Sequence, residues 1–431
     1  MGLAAWHRHP GDHAEQPVWF TAARFGLLAK RSWSTARLQK RSMEKEIPWS
    51  MIPEDQKPLY REAAAKQWAQ WQQYDAAQPM SIEESEKVRK EIDAARILTS
   101  RYLYRDKNAG VPNAEPKPKA RMCVGGHNDP DLAVGLRTDA PTVSRHSVLT
   151  FLAIAAAHDF EVVAGDIECA FMQGVPHERR EELYMSQPRE GLPGLDPRQL
   201  LRVVKGVFGL ADAPRLWWRR LREGILNAKL SLESGAPVIM LQSRLDPTVF
   251  RGFDENGKLV VLVCVHADDL LVATRSDKLR EGIHSLFAFG EWRRTPVTFC
   301  GKSLEAVQEG GFTFNQASYI QGKLDAIHVD RKRRSDHSQP ANAQEIADNR
   351  SAIGSLGWPA RETRPGLACM VSMAQKRQNN PTVQDLLDVN KAIKVLIDTA
   401  DDKFHIPKLD SNEPWCLIAY HDAGWGNTTE H

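Results

Sequence analysis

Two apolar runs with a pair of acids between them form the most informative pattern in the chain. The segment is LVVLVCVHADDLLVAT, residues 259–274. Its first run, Leu259 to Val265, has no polar alternation, which predicts a strand buried on both faces. Leu270 to Ala273 is expected to return beside it as the second strand of a hairpin. Asp268 and Asp269 would then lie at the edge of a core.

A second apolar strand also ends in an acid, because FEVVAGDIECAFMQG, residues 160–174, places Asp166 after its apolar run. Taken alone, an Asp pair between apolar runs indicates a turn, since Asp bonds its own backbone. A carboxylate beside a core, however, costs several kcal/mol unless it is paired or binds a metal. Two strands that each bring acid to one place fit two-metal nucleotidyl transfer. Hard oxygen ligands favour Mg²⁺.

Helices are predicted around these strands. A capping box at Ser81 and Glu84 predicts a helix start, and a helix is expected over 139–157. Asp212 is the predicted N-cap of a long helix up to about Leu230, with Pro214 in its first turn. Further expected elements are helices at 53–77, 277–289, from 318 and over 347–400, and strands at 98–104 and 311–315.

The long helix has two distinct faces. Trp217, Leu221 and Ile225 share an apolar face. Arg215, Arg219 and Arg222 follow a helical spacing of i, i+4 and i+7 and form a basic group on another face. This basic face either contacts the phosphates of a template or primer or is an ordinary solvated surface.

Length and composition bound the class of protein. The chain has 431 residues, 42% of them hydrophobic, and a net charge of +2, which suggests two or three globular domains and leaves any nucleic-acid footprint local. The six cysteines are widely spaced and form no CxxC pair, which argues against a disulfide framework or a zinc site. Without a membrane-length apolar run or a signal-peptide core, we expect an intracellular protein, cytoplasmic or nuclear, and not a secreted one.

Ordered blocks along the chain resemble the reverse transcriptase of copia-type LTR retrotransposons. The matching blocks are KARMCVGG (119–126), DIECAFMQG (166–174), EELYMSQPREG (181–191), VFGLADAPRLWWRRL (207–221), VHADD (265–269), IGSLGWPARETRPGLA (353–368) and AYHDAGW (419–425). The resemblance runs from about Glu46 to the C-terminus. It implies an RNA-directed DNA polymerase that adds dNTPs to a primer on an RNA or DNA template, uses two Mg²⁺ or Mn²⁺ ions, and needs no membrane.

The resemblance also implies an α+β, right-hand architecture of fingers, palm and thumb with an antiparallel palm sheet. The implied domains are a poorly ordered leader (1–45), fingers and palm (46–330), a linker with a helical thumb or connection region (331–410), and a truncated RNase H-like start (411–431). The polar stretch 329–345 is the best linker candidate and is either a nucleic-acid contact or merely soluble. Asp422, in the RNase H-like start, is not expected to hydrolyse RNA alone.

Site residues follow from the resemblance position by position. Asp166, Asp268 and Asp269 are the implied catalytic metal ligands, and the backbone of Ile167 is expected close to the metal. The implied substrate-binding residues are Lys119 and Arg121 at the triphosphate, Phe171 as a gate against a ribose 2′-hydroxyl, and Asp212, Pro214 and Arg215 in the block beside the nucleotide.

Departures from the family pattern keep an alternative open. His266 and Ala267 replace the Tyr and Val of the family's YVDD box, and Ala211 and Asp212 replace a Lys-Gln pair. An acid at 212 would repel a triphosphate unless it serves only as a helix cap. The alternative is a catalytically inactive remnant that keeps the fold and at most binds nucleic acid. A nuclease using the same acids fits the blocks around Lys119 and Pro214 less well.

Overall fold

The computed structural model describes residues 46–108, 114–410 and 414–416. The predicted leader and Asp422, with most of the predicted RNase H-like start, lie outside the described residues.

The described residues include nine α-helices and seventeen β-strands. The helices are α1 (Lys57–Gln73), α2 (Ile82–Glu91), α3 (Arg145–Ala157), α4 (Ala213–Leu226), α5 (Asp277–His284), α6 (Ala317–Lys323), α7 (Ala343–Glu362), α8 (Ala368–Arg377) and α9 (Val383–Asp398). The strands are β1 (Ala77–Pro79), β2 (Ile97–Leu98), β3 (Ser100–Asp106), β4 (Pro118–Val124), β5 (Glu161–Ile167), β6 (Leu183–Met185), β7 (Leu201–Val203), β8 (Leu230–Ser231), β9 (Pro237–Gln242), β10 (Val249–Phe253), β11 (Leu259–His266), β12 (Asp269–Thr274), β13 (Phe289–Arg294), β14 (Val297–Phe299), β15 (Lys302–Ala306), β16 (Gly311–Asn315) and β17 (Phe404–Pro407).

A seven-stranded antiparallel sheet forms the centre of the molecule, in the order β13-β5-β12-β11-β10-β9-β8. The predicted hairpin is confirmed, because β11 and β12 pair from Val261 opposite Thr274 to His266 opposite Asp269. The prediction of burial on both faces is also confirmed. Leu262 and Cys264 pack into one core, while Val261, Val263 and Val265 pack into another.

Helices cover both faces of this central sheet. The helix α3 and the four-stranded sheet β14-β15-β16-β17 pack on one face, and α4 with α5 packs on the other. Trp217, Leu221 and Ile225 are buried against the sheet, as predicted. The helix predicted over 139–157 begins later, at Arg145, because the Ser144 side chain accepts the N–H of Ser147 as its N-cap.

The N-terminal region adds a hairpin, β3–β4, which packs against α1 around Trp68, Trp71 and Met122. The predicted helix start at Ser81 is confirmed by a complete capping box with Glu84. The helix predicted to reach residue 289 ends at His284, since strand β13 begins at Phe289.

The C-terminal helices α6 to α9 share one core, as the predicted helical stretch over 347–400 indicates. This core begins at Ile320 and includes Val329, so it extends to the N-terminal side of the predicted boundary at 330. The predicted linker over 329–345 is packed, because Arg333 donates to both carboxylate oxygens of Glu345. The last strand, β17, returns to pair with β16.

No helix within the described ranges is long and apolar enough to span a bilayer. The six cysteines carry free thiols.

A close approach between β4 and the loop before α4 gives a first stability test. Gly209 has φ +104°, and a Cβ there would lie 2.0 Å from the carbonyl oxygen of Val124. We therefore expect Gly209→Ala to lower the free energy of unfolding by at least about 2 kcal/mol, because left-handed backbone strain adds to the clash. Urea unfolding followed by circular dichroism measures the change.

The matched control is Gly357→Ala in α7, where an added Cβ meets nothing within 4 Å. Alanine is the better helix former, so this change should raise the free energy of unfolding by up to about 1 kcal/mol. Equal effects of the two substitutions would contradict the close approach at Gly209.

Candidate active site

Pairing between β5 and β12 brings the predicted acids together. Asp166, the next-to-last residue of β5, lies directly opposite Asp269, the first residue of β12. Directly opposite residues of an antiparallel pair share a face of the sheet. Asp268 lies in the β11–β12 turn, and its carbonyl oxygen accepts the N–H of Ile167 at 2.9 Å. Acids about a hundred positions apart in sequence thus meet at one end of the central sheet.

The β11–β12 turn is held from α4. Ala267, in the turn, has a φ of +58°, a backbone conformation that residues other than glycine rarely adopt. Its carbonyl oxygen accepts a hydrogen bond from the indole Nε1 of buried Trp217 at 2.8 Å. The helix α4, on which a basic face was predicted, therefore also holds the turn that carries Asp268.

A cavity of about 430 Å³ opens beside these acids, within the size range of small-molecule sites. Asp166, Ile167 and Asp268 are among its lining residues. The lining also contains five cations, Lys66, Lys107, Lys117, Lys119 and Arg121, and two further acids, Glu168 and Glu291. Asp269 lines a much smaller adjoining cavity, which it shares with Asp166. The arrangement suits an anionic ligand held between cations and a carboxylate pair.

Burial and mutual repulsion disfavour ionisation of the acids. The pKa of Asp269 is raised to about 6, first by burial and then by the charges of Asp268 and Asp166. The pKa of Asp166 is raised by burial and by Asp268, while Lys119 opposes the rise. Burial, followed by the neighbouring cations Arg121 and Lys107, lowers the pKa of Lys119. A divalent cation between the carboxylates would relieve this repulsion.

The donor set fits Mg²⁺ in one respect and limits it in another. Carboxylate oxygens from Asp166 and Asp268 face the cavity, and hard oxygen ligands are those that Mg²⁺ prefers. No group of three His, Cys, Asp or Glu side chains in the described part of the chain is arranged to hold a metal by itself. A protein cage is therefore absent there. The fit is to the usual Mg²⁺ arrangement of one or two carboxylates completed by substrate phosphates.

Phe171 is another predicted site residue that lines the cavity. It lies in the 3-10 turn Ala170–Gln173 directly after β5, and its ring centroid is 5.5 Å from that of Phe208. The guanidinium of Arg121 lies 4.3 Å from the centroid of the Phe208 ring. The predicted gate and the predicted phosphate contact thus share one aromatic neighbour.

Asp212, Pro214 and Arg215 are not among the residues that line this cavity. The predicted N-cap position is confirmed, because Asp212 is the N-cap residue of α4, but its side chain makes no capping hydrogen bond. Its buried carboxylate instead accepts from Arg179 at 2.9 Å. Arg215 donates to Asp139 at 2.6 Å.

The basic face predicted on α4 is largely paired. Besides Arg215, Arg219 forms an ion pair with Glu178 and Arg222 donates to Gln242. These contacts favour the solvated-surface interpretation over free phosphate contacts.

Arg179 is the centre of a buried ionic cluster that the sequence did not predict. Its side chain is 1% exposed and donates to Asp129, Asp131 and Asp212 at 2.9, 2.6 and 2.9 Å. Arg96 adds a second cation through a bidentate contact with Asp131. Burial raises the pKa of Asp212, and Arg179 opposes that rise. The acid at 212 is thus neutralised by Arg179 outside the cavity lining.

Sequence reasoning also missed several lining residues of the cavity. They are Lys66, Lys107, Lys117, Glu168, Phe208, Gly290 and Glu291. Glu168 follows Asp166 by two positions and accepts from Gln70 of α1 at 2.6 Å. Glu291 lies opposite Asp166 on the other side of β5. Adjacency to Asp166 could have indicated Glu168, whereas Glu291 depends on strand pairing that no local pattern reveals.

We expect Arg179→Met to lower the free energy of unfolding by about 3–5 kcal/mol, since it leaves three buried carboxylates without their shared cation. Urea unfolding at pH 7 measures the loss. The control is Arg198→Met, which breaks an exposed pair with Asp196 and should change stability by less than about 1 kcal/mol. Similar values for the two variants would contradict the importance of the cluster.

Comparison with known proteins assigns the chain to a family. The model of the family described as reverse transcriptase (RNA-dependent DNA polymerase) matches residues 86–327. The Retrovirus-related Pol polyprotein from transposon RE2 of Arabidopsis thaliana is 24% identical over 72% of this chain and 21% of its own length. The corresponding polyprotein from transposon TNT 1-94 of Nicotiana tabacum is 25% identical over 66% of this chain and 22% of its own length.

Two further similarities are more distant. A putative transposon Ty5-1 protein of Saccharomyces cerevisiae is 20% identical over 61% of this chain and 83% of its own length. The solved structure of a foamy viral protease-reverse transcriptase in complex with double-stranded DNA aligns with a TM-score of 0.42 and 11% identity. That alignment covers 85% of this chain and 61% of the other.

The chain spans about a fifth of the length of the plant polyproteins that it matches. Those relatives are copia-type retrotransposon proteins, so the family resemblance predicted from the sequence is confirmed. Since the family model matches more than half of the chain, this protein belongs to the reverse transcriptase (RNA-dependent DNA polymerase) family.

Proposed function

We propose that this chain is the RNA-directed DNA polymerase part of a copia-type retrotransposon polyprotein, and that it adds dNTPs to the 3′-hydroxyl of a primer. One observation supports the proposal most strongly. Asp166 and Asp268 share a cavity with Lys119 and Arg121, so acids suited to metal ions face cations suited to a triphosphate.

In this proposal the central antiparallel sheet is the palm. The β3–β4 hairpin with α1 forms the fingers, and α6 to α9 form the thumb or connection region. The domain limits at 45, 330 and 410 stay predictions. The core that begins at Ile320 favours a palm that ends slightly earlier than 330.

The chain's own residues would bind and orient both reactants. Lys119 and Arg121 would hold the triphosphate, because charge-assisted contacts in a half-buried site are stronger than in water. Asp166, Asp268 and Asp269, together with the backbone of Ile167, would hold two Mg²⁺ or Mn²⁺ ions. Those ions supply the positive charge that stabilises the attacking and leaving oxygens.

The reaction is an in-line displacement at the α-phosphate. The primer 3′-oxygen forms a new bond to phosphorus, its proton passes to solvent, and pyrophosphate leaves. Phe171 would lie against the sugar of the incoming nucleotide, where its ring excludes a 2′-hydroxyl. The substrates are therefore dNTPs on an RNA or DNA template-primer.

The alternative function, an inactive remnant that binds nucleic acid, is favoured by one specific observation. Glu168 adds a carboxylate to the cavity that would receive the triphosphate, and such a charge opposes nucleotide binding. Asp212 does not favour the remnant, because Arg179 neutralises it away from the cavity lining. His266, half-buried in β11, still departs from the family pattern.

Primer extension with Asp268→Asn tests the proposed metal ligand. We expect the rate of dNTP addition to fall at least a hundredfold, because the site loses one of the two aspartates that line the cavity. The assay uses an RNA template with a DNA primer and either Mg²⁺ or Mn²⁺. The control is Glu255→Gln, an exposed acid in the β10–β11 turn, which should keep the parent rate.

An unchanged rate in Asp268→Asn would remove that residue from the mechanism. A parent protein that binds template-primer with a steep salt dependence, yet extends no primer with either metal, would support the remnant.

Lys119→Gln tests the triphosphate side of the cavity. We expect the KM for dNTP to rise by about tenfold, because the lost contact joins a cation to a phosphate. Steady-state kinetics with a saturating template-primer give the value. Lys258→Gln, in the exposed β10–β11 turn, is the matched control. A KM that stays at the parent value would place the triphosphate elsewhere.

A further inference from the structure

Three neighbouring side chains in the cavity lining form a cluster, which we call the aromatic cluster: Arg121, Phe208 and Phe171. The Arg121 guanidinium lies 4.3 Å from the centroid of the Phe208 ring. The Phe208 and Phe171 centroids lie 5.5 Å apart with a 60° angle between the planes. All three line the same cavity. Phe208 is the middle member and was not among the predicted site residues.

The backbone of Phe208 is anchored to the strand that carries Arg121. Its carbonyl oxygen accepts the N–H of Val124, at the end of β4, at 2.8 Å. The next residue, Gly209, packs against the same Val124 so closely that no side chain fits there. The backbone of Phe208 is therefore held against β4 by main-chain contacts.

Each member of the aromatic cluster comes from a different segment. Arg121 is on β4, Phe208 is in the loop before α4, and Phe171 is in the turn after β5. No carboxylate in the described ranges forms an ion pair with Arg121, so the Phe208 ring orients this guanidinium while leaving its N–H groups available to a phosphate.

We propose that Phe208 is a positioning residue for sugar discrimination, acting through Phe171. This inference rests on the proposed polymerase function. A gate ring excludes a 2′-hydroxyl only as strongly as it resists displacement, and the tilted ring pair with Phe208 supplies that resistance. Without the Phe208 ring, Phe171 has room to move away from the sugar, and ribonucleotides are accepted more readily.

The test compares kcat/KM for dATP with that for ATP in primer extension. We expect Phe208→Leu to lower this dATP-to-ATP ratio by about fivefold, the change that corresponds to losing one aromatic pair. Phe208→Tyr keeps the ring and should keep the parent ratio. A general loss of folded protein lowers both rates equally and leaves the ratio unchanged, so the ratio isolates positioning from stability.

The matched control is Phe253→Leu. Phe253 also carries an arginine over its ring, Arg251 at 5.8 Å, but lies on β10 and does not line the cavity. We expect it to keep the parent ratio.

A double substitution shows whether Phe208 acts through the gate. In a Phe171→Ala background, Phe208→Leu should change the ratio by less than twofold, because the ring that it supports is already gone. A full fivefold effect in that background would overturn the proposal. So would a parent-like ratio for Phe208→Leu alone, or a lowered ratio for Phe208→Tyr.

Failure of the polymerase proposal is recognised separately, by a parent protein that extends no primer. The same variants are then compared through the equilibrium binding of dATP and ATP to the protein with template-primer and Ca²⁺. A binding ratio that falls in Phe208→Leu and returns in Phe208→Tyr supports the positioning role. A ratio that stays unchanged in Phe208→Leu, or an absence of nucleotide binding, overturns it.

Discussion

The register between β5 and β12 is the constraint on which the rest of the site depends. Asp166 and Asp269 face each other only because Val163 pairs with Val272 and their neighbours follow in step. A slip of one residue would turn every side chain of one strand to the opposite face. The slip is opposed by two cores, since alternate residues of the hairpin pack toward α3 and toward α4 with α5. Apolar packing on two sides thus determines where the charges meet.

Charge is treated in two different ways in this molecule. Around Arg179, buried acids and cations neutralise one another within hydrogen-bonding distance, which links the loop 129–131 to the start of α4. At the cavity, like charges are instead kept together. Burial and then the charge of Asp268 raise the pKa of Asp166 and of Asp269, while burial and then the charges of Arg121 and Lys107 lower the pKa of Lys119. Such unpaired repulsion is typical of a site that a ligand completes.

Much of the fold could be predicted because its signals are local. The apolar hairpin, the capping box at Ser81 and the buried face of α4 each follow from periodicity or a short motif. The convergence of Asp166 with Asp268 was a hypothesis from two apolar strands that each end in an acid, and the family resemblance then implied that these acids are metal ligands. The role of Asp212 could not be predicted, because its partner Arg179 lies on another segment. Lys107, Lys117 and Glu291 were missed for the same reason: strand pairing, which no local pattern specifies, brings them to the cavity.

The cluster around Arg179 also constrains how this sequence can diverge. Asp212 departs from the pattern of the family, yet its carboxylate is accommodated because a buried guanidinium receives it. Loss of Arg179 alone would leave the buried acids without a cation, and loss of the acids would leave the buried Arg179 without a carboxylate partner. These positions are therefore expected to be inherited as a set, so that in related sequences an amide at 212 should accompany a different residue at 179.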